Sequence, residues 1–282
     1  MDKHNKGKAM ESKLYRYLVF LVPLLFSIQT RFLRRSRLGI IVWATEYLIP
    51  VLIAMIVLNV HCINLVHGLI SIVAVYNLYE IGYIQNDCET IKHEEHPTLR
   101  LSSESLHLYE KYKIHIYVTR IVIGVCFSWY MIRVGNNLWA VIAMWAIIPL
   151  YLIYNKLRGR INLYLIVILT TYRYCFPIYL YAAYKFEYIW IIIICMFLAY
   201  PFPTFIEICT DGKGNPPEKW TKLFMKDFES RFIFRVRYYS IMSILCVTLA
   251  YLELLPYICV LIPLYYLADR IPQLRMKKLG VK

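Results

Sequence analysis

Long blocks of apolar residues, almost free of charge, constrain this chain more than any other feature. Residues 38–60 and 188–200 are examples. A helix needs roughly 20 apolar residues to cross the hydrocarbon core of a bilayer. Only helices and closed barrels satisfy their backbone hydrogen bonds there. The blocks are too long and too continuous for the roughly 10-residue alternating segments of barrel strands. With 60% hydrophobic residues and a mean hydropathy of +0.50, the chain reads as an all-α, polytopic transmembrane bundle. Eight spans are expected, at about 38–60, 62–84, 114–133, 137–154, 161–183, 187–206, 233–252 and 255–269. A shorter run, 14–28, is interrupted by Arg16 and Pro23 and has no small-residue cleavage site. It reads as an interfacial or half-inserted helix rather than a signal peptide. The expected organisation is a cytoplasmic N-terminal segment, 1–37, followed by a single transmembrane bundle, 38–282.

The net charge is +14, and its distribution gives an orientation. Arg31, Arg34, Arg35 and Arg37 precede the first span, and Lys92, Arg100, Lys111 and Lys113 follow the second. Basic residues also follow the fourth, sixth and eighth spans, whereas the opposite side carries Arg133 and Lys185. That asymmetry is the positive-inside pattern, so the basic side is expected in the cytoplasm. The charge then faces anionic lipid, and nucleic acid is not an expected partner. The eight cysteines show no paired spacing and mostly fall inside spans, as small packing residues do.

Two long cytoplasmic loops, roughly 85–113 and 207–232, collect the acids. Glu80, Asp87 and Glu94 recur every seven residues. If the second span continues as helix they share one face. Like charges in a row repel, unless a cation lies between them; magnesium takes one or two carboxylates and fills its shell with water and phosphate oxygens. A solvated loop neutralised by Lys92 and Arg100 explains the same residues equally well. In the second loop Glu207 and Asp211 lie one helical turn apart, ahead of Gly212 and Gly214, which suit a helix end. An ordinary exposed loop start is the plain alternative. Arg120, Arg173, Arg235 and Arg237 fall in or near spans. Intramembrane arginines are functional candidates, although Arg235 and Arg237 are placed to snorkel to the interface.

At these residues the sequence resembles the UbiA superfamily of intramembrane prenyltransferases, across most of the chain. Asn86 and Asp87 match the opening pair of the family's N-D-x-x-D-x-x-x-D motif, and Glu94 its last acid. Thr90 stands where the middle acid belongs. Glu207 and Asp211 are similar to its second acidic motif. His96-Pro97-Thr98-Leu99-Arg100 resembles the H-P-T-x-R run of the polyprenyl-phosphate 5-phosphoribosyltransferases. Counted back from that run, Glu89 takes the place of the middle acid, so one residue is deleted between the two anchors.

The resemblance implies a magnesium-dependent transfer of a 5-phosphoribosyl group from phosphoribosyl pyrophosphate to a polyprenyl phosphate, in a bacterial inner membrane with the site facing the cytoplasm. Asp87, Glu94 and Glu207 would bind magnesium, with Asp211 as a further catalytic acid. Asn86, Glu89, Arg100, Arg173 and Lys213 would bind substrate. Three other readings stand beside it: transfer of a prenyl chain from a prenyl pyrophosphate to a small acceptor, a transporter or lipid flippase, and an inactive relative.

Overall fold

The computed structural model describes residues 13–34, 38–58, 64–94, 97–157, 159–182, 188–212 and 217–278. Helix is the regular structure throughout these residues. We number the helices α1 (Lys13–Leu21), α2 (Leu25–Leu33), α3 (Gly39–Leu58), α4 (Leu65–His93), α5 (Ser103–Arg133), α6 (Leu138–Lys156), α7 (Ile161–Ala182), α8 (Ile189–Asp211), α9 (Phe228–Tyr251) and α10 (Leu261–Lys278). The seven from α3 to α9 are long and apolar enough to cross a membrane. The expected span at 255–269 takes another form. A 3-10 turn, Tyr257–Val260, leads into α10, whose Asp269, Arg270, Gln273 and Arg275 make it too polar to qualify.

Lipid-facing character is written on single helix faces. On α5, Ile114, Val118, Ile121, Val125 and Trp129 are exposed, while Ile116, Arg120, Gly124 and Met131 are buried. Residues three and four apart share a face, so an apolar stripe points outward. In water such a stripe would be a liability; in a bilayer it is the expected surface, and the chain is an integral membrane protein. The helix starts follow local chemistry. Ser102 caps α5 by accepting from the Ser105 N–H, and Asn137 caps α6 by accepting from the Ala140 N–H.

The chain forms two compact units. One holds Met1–Trp43 and Leu69–Lys156; the other holds Ala44–Gly68 and Leu157–Lys282.

In the first unit α1 and α2 are bent by 120°, the geometry of a broken span or of a re-entrant loop. Pro23 has no N–H to continue a helix, and Leu24 adopts a left-handed conformation (φ 73°). A break of this kind leaves carbonyls at the end of α1 and N–H groups at the start of α2 without helical partners. Arg120 and Glu80 satisfy them. Arg120 donates from Nε to the Phe20 carbonyl at 2.7 Å and from Nη2 to the Val22 carbonyl at 3.2 Å. Glu80 accepts from the Leu24 N–H at 2.9 Å and the Ser27 N–H at 2.6 Å. The two side chains pair with each other at 2.9 Å and are fully buried. Packing on α4 is close: a Cβ at Gly82 would lie 2.1 Å from Cγ of Tyr151, whose ring stands edge-on to Tyr79.

In the second unit two irregular helix segments are stabilised by tyrosines. α3 contains a π-helical stretch, Ala44–Leu48, which displaces carbonyls from the regular ladder. The Thr45 carbonyl accepts from Tyr265 at 2.8 Å, and the Glu46 carbonyl from Tyr266 and Tyr174 at 3.1 and 3.2 Å. α8 is interrupted at Tyr200 (φ −132°, ψ −56°), just before Pro201 and Pro203. Pro203 cannot donate to the Ala199 carbonyl; the Tyr239 hydroxyl does so at 2.8 Å, and Tyr238 serves Leu198 at 2.7 Å.

Candidate functional site

The acids of the first loop divide into separate ion-paired groups. Glu80 belongs to the helix break, as above. Asp87, one heptad further along α4, has a fully buried side chain. Its Oδ1 accepts from Arg31 Nη2 at 3.0 Å, Arg100 Nη1 at 2.9 Å and Asn86 Nδ2 at 3.0 Å. Its Oδ2 lies 2.9 Å from Arg31 Nη1. Arg31 comes from α2 and lies over the ring of Tyr83, 4.3 Å from its centroid. Arg100 comes from the extended segment before α5. The two arginine side chains are 18% and 27% exposed, whereas the carboxylate they hold is sealed. Glu89 is bound elsewhere: it accepts from the Tyr109 hydroxyl at 2.8 Å, from Lys92 at 3.1 Å and from Lys113, tying the end of α4 to α5.

Glu94 does not share the face of Glu80 and Asp87. The α-helix ends at Cys88, a 3-10 turn follows over Thr90–His93, and Glu94 is extended (φ −95°, ψ 133°) and half-buried. The expectation of one continuous helix fails because the last turn tightens ahead of Pro97, as helix ends commonly do.

In the second unit Glu207 and Asp211 share the last turns of α8, closed by Gly212 in the left-handed conformation (φ 70°). Glu207 is held by Arg235 in a two-pronged pair: Nε to Oε1 at 2.5 Å and Nη2 to Oε2 at 2.9 Å. Arg235 also donates to Thr204 at 2.9 Å and Tyr239 at 2.7 Å, and it is buried. It therefore turns inward rather than snorkelling; the fork geometry of guanidinium on carboxylate holds it there. Arg237 is exposed. Asp211 is exposed. Arg173, within α7, lies 5.4 Å from the Tyr174 ring and 6.0 Å from that of Tyr47. Lys213 lies outside the described residues.

Sequence reasoning missed Arg31, Glu46 and Arg270. Arg270 Nη2 lies 2.8 Å from Glu46 Oε1, and Tyr200 donates to Glu46 Oε2 at 3.3 Å. Glu46 is the one acid in the apolar block 38–60, and an intramembrane carboxylate is itself a signal. Arg31 and Arg270 were hidden in basic runs that topology alone explains.

Magnesium at these acids would compete with the arginines that already hold them. Among the described residues no group of three or more His, Cys, Asp or Glu side chains is placed to hold a metal ion. The oxygens of Asp87 and Glu207 face guanidiniums, and a cation at either would have to displace an arginine. What the Asp87 cluster offers is two guanidiniums, whose forks match phosphate oxygens, one of them over the Tyr83 ring. The chain matches no known protein-family model, no curated protein and no solved structure.

Proposed function

We propose that the chain is a UbiA-like intramembrane transferase that moves a 5-phosphoribosyl group from phosphoribosyl pyrophosphate to a polyprenyl phosphate at the cytoplasmic face of a bacterial inner membrane. The observation that carries the reading is the Arg31–Asp87–Arg100 group, where two guanidiniums are fixed by one buried carboxylate. It lies at the end of a span and beside the sequence run that resembles the phosphoribosyltransferases. A basic site there suits a substrate whose phosphate is at headgroup level.

The chemistry asks little of a protein base. The bond from the sugar's anomeric carbon to pyrophosphate breaks, and pyrophosphate leaves with the electron pair. An oxygen of the acceptor phosphate forms the new bond; it is already anionic, so no proton need be removed. Arg31 and Arg100 would hold phosphoryl oxygens and stabilise the charge that grows on them. Magnesium would arrive as an ion carried by the donor's pyrophosphate.

A second reading is favoured by one feature of the second unit. The π-helical segment at Glu46, its pairing with Arg270 and the break at Tyr200 are irregularities of the kind transporters use. The test is incubation of the purified protein in lipid nanodiscs with magnesium, polyprenyl phosphate and labelled phosphoribosyl pyrophosphate. Label entering the lipid fraction supports transfer. A folded protein that transfers no label, but moves a phosphorylated lipid between leaflets, supports the second reading instead.

A further inference from the structure

We infer that Asp87 binds no metal and serves as a positioning residue: it orders Arg31 and Arg100 into a two-guanidinium site for a phosphoryl group, filled without a divalent cation. This rests on the reading of the same residues as a phosphate site, and it departs from the magnesium role implied by the acidic motif.

Four observations converge. First, among the described residues the partners of the Asp87 carboxylate are N–H groups: Arg31, Arg100 and Asn86 donate to Oδ1, and Oδ2, which has no hydrogen-bond partner, lies 2.9 Å from Arg31 Nη1. A cation approaching those oxygens meets two positive charges. Second, the side chains are graded in exposure from 0% at Asp87 to 18% and 27% at the arginines, so the arginines and not the acid carry the exposed surface of the group. Third, two cations against one anion leave an excess of one positive charge. Among the described residues Arg100 makes no other ion pair or side-chain hydrogen bond, leaving Nε and Nη2 to donate. Fourth, Arg31 is held from behind by the Tyr83 ring and is delivered by α2, whose start the Glu80–Arg120 pair fixes. A guanidinium so restrained loses less freedom on meeting a phosphate than one on a free surface side chain.

The ligand class is a phosphate monoester or pyrophosphate. It could arrive on a lipid or in solution, and two probes separate the sources: polyprenyl phosphate in nanodiscs, and inorganic pyrophosphate. Binding of each is measured in EDTA and again with magnesium, for the wild type and for Asp87→Asn, Arg31→Lys and Arg100→Lys, with thermal unfolding as a check on folding. At least one probe should bind in EDTA, and each arginine replacement should weaken it about tenfold, the value of a charged hydrogen bond. Asp87→Asn should also weaken it in EDTA. This sign is diagnostic, because removing a negative charge beside an anion would otherwise tighten binding. Should Asp87→Asn misfold, Arg100→Lys on the exposed side keeps the test alive.

Binding that requires magnesium, or that Asp87→Asn leaves unchanged or tightens in EDTA, overturns the inference. Cation-free binding by a protein that transfers no label retains the inference and removes the transferase reading. Transfer accompanied by strictly magnesium-dependent binding does the reverse.

Discussion

Glu80 and Asp87 stand one heptad apart on α4, both fully buried and both answered by arginine, yet they do different work. Around Glu80 both charges are sealed: its partner Arg120 is as buried as the acid, and both are committed to the backbone of a broken helix. Around Asp87 only the acid is sealed, and its arginine side chains are partly exposed. A buried pair that cannot meet water or ligand can only shape the fold. A buried anion behind partly exposed cations can present them. The exposure of the partner, more than the burial of the acid, separates a structural from a functional ion pair here.

The largest effect that would test this contrast is expected at Arg120. Arg120→Met leaves the Glu80 charge without its cation and takes a donor from the Phe20 and Val22 carbonyls, of which Val22 keeps the Leu25 N–H, so it should cost about 3–5 kcal/mol. Thermal unfolding in detergent measures this, and adding Glu80→Gln should recover part of the loss. If Arg120→Met is no worse than Asp87→Asn, the two pairs are energetically alike and the distinction fails. Gly82, between the two acids, should come next. Gly82→Ala forces the Tyr151 ring away from α4 and should lower stability by about 1–3 kcal/mol.

Asp87→Asn should cost less, about 1 kcal/mol, because the amide keeps an acceptor for one arginine and the other can turn to water. Its effect should appear in phosphate binding rather than in unfolding temperature, and that split is what sharpens the comparison. The smallest change is expected at Leu24. Leu24→Gly relieves a left-handed conformation that costs a branched residue roughly 1 kcal/mol, so the unfolding temperature should hold or rise slightly. A clear fall would mean that the Leu24 side chain, not the Glu80–Arg120 pair, maintains the break.

Much of this fold was legible in advance. The apolar blocks placed α3 to α9, and Pro23 within a short run marked the place where α1 and α2 break. Hydropathy works because the bilayer leaves the backbone few alternatives. The candidate site was legible in its acids but not in their partners. Asp87 and Glu207 stood out by spacing, whereas Arg31 and Arg270 were counted as topological charge. Arg235 was read as snorkelling because sequence cannot say which way a helix is rotated. Glu46 is a lone acid in an apolar block, and nothing in its spacing signals the π-helical stretch that presents its carbonyl to Tyr174 and Tyr266.

The sequence by itself determined that this is a helical membrane protein, roughly where its helices run, and which acids crowd the span ends. These follow from transfer free energies and local periodicity, which act residue by residue. Only the tertiary structure decided that Arg120 and Glu80 close a helix break while Arg31 and Arg100 surround Asp87. Those pairings join residues 40 to 56 positions apart or only 13, and a charge finds its partner by proximity in space, which no spacing along one helix specifies.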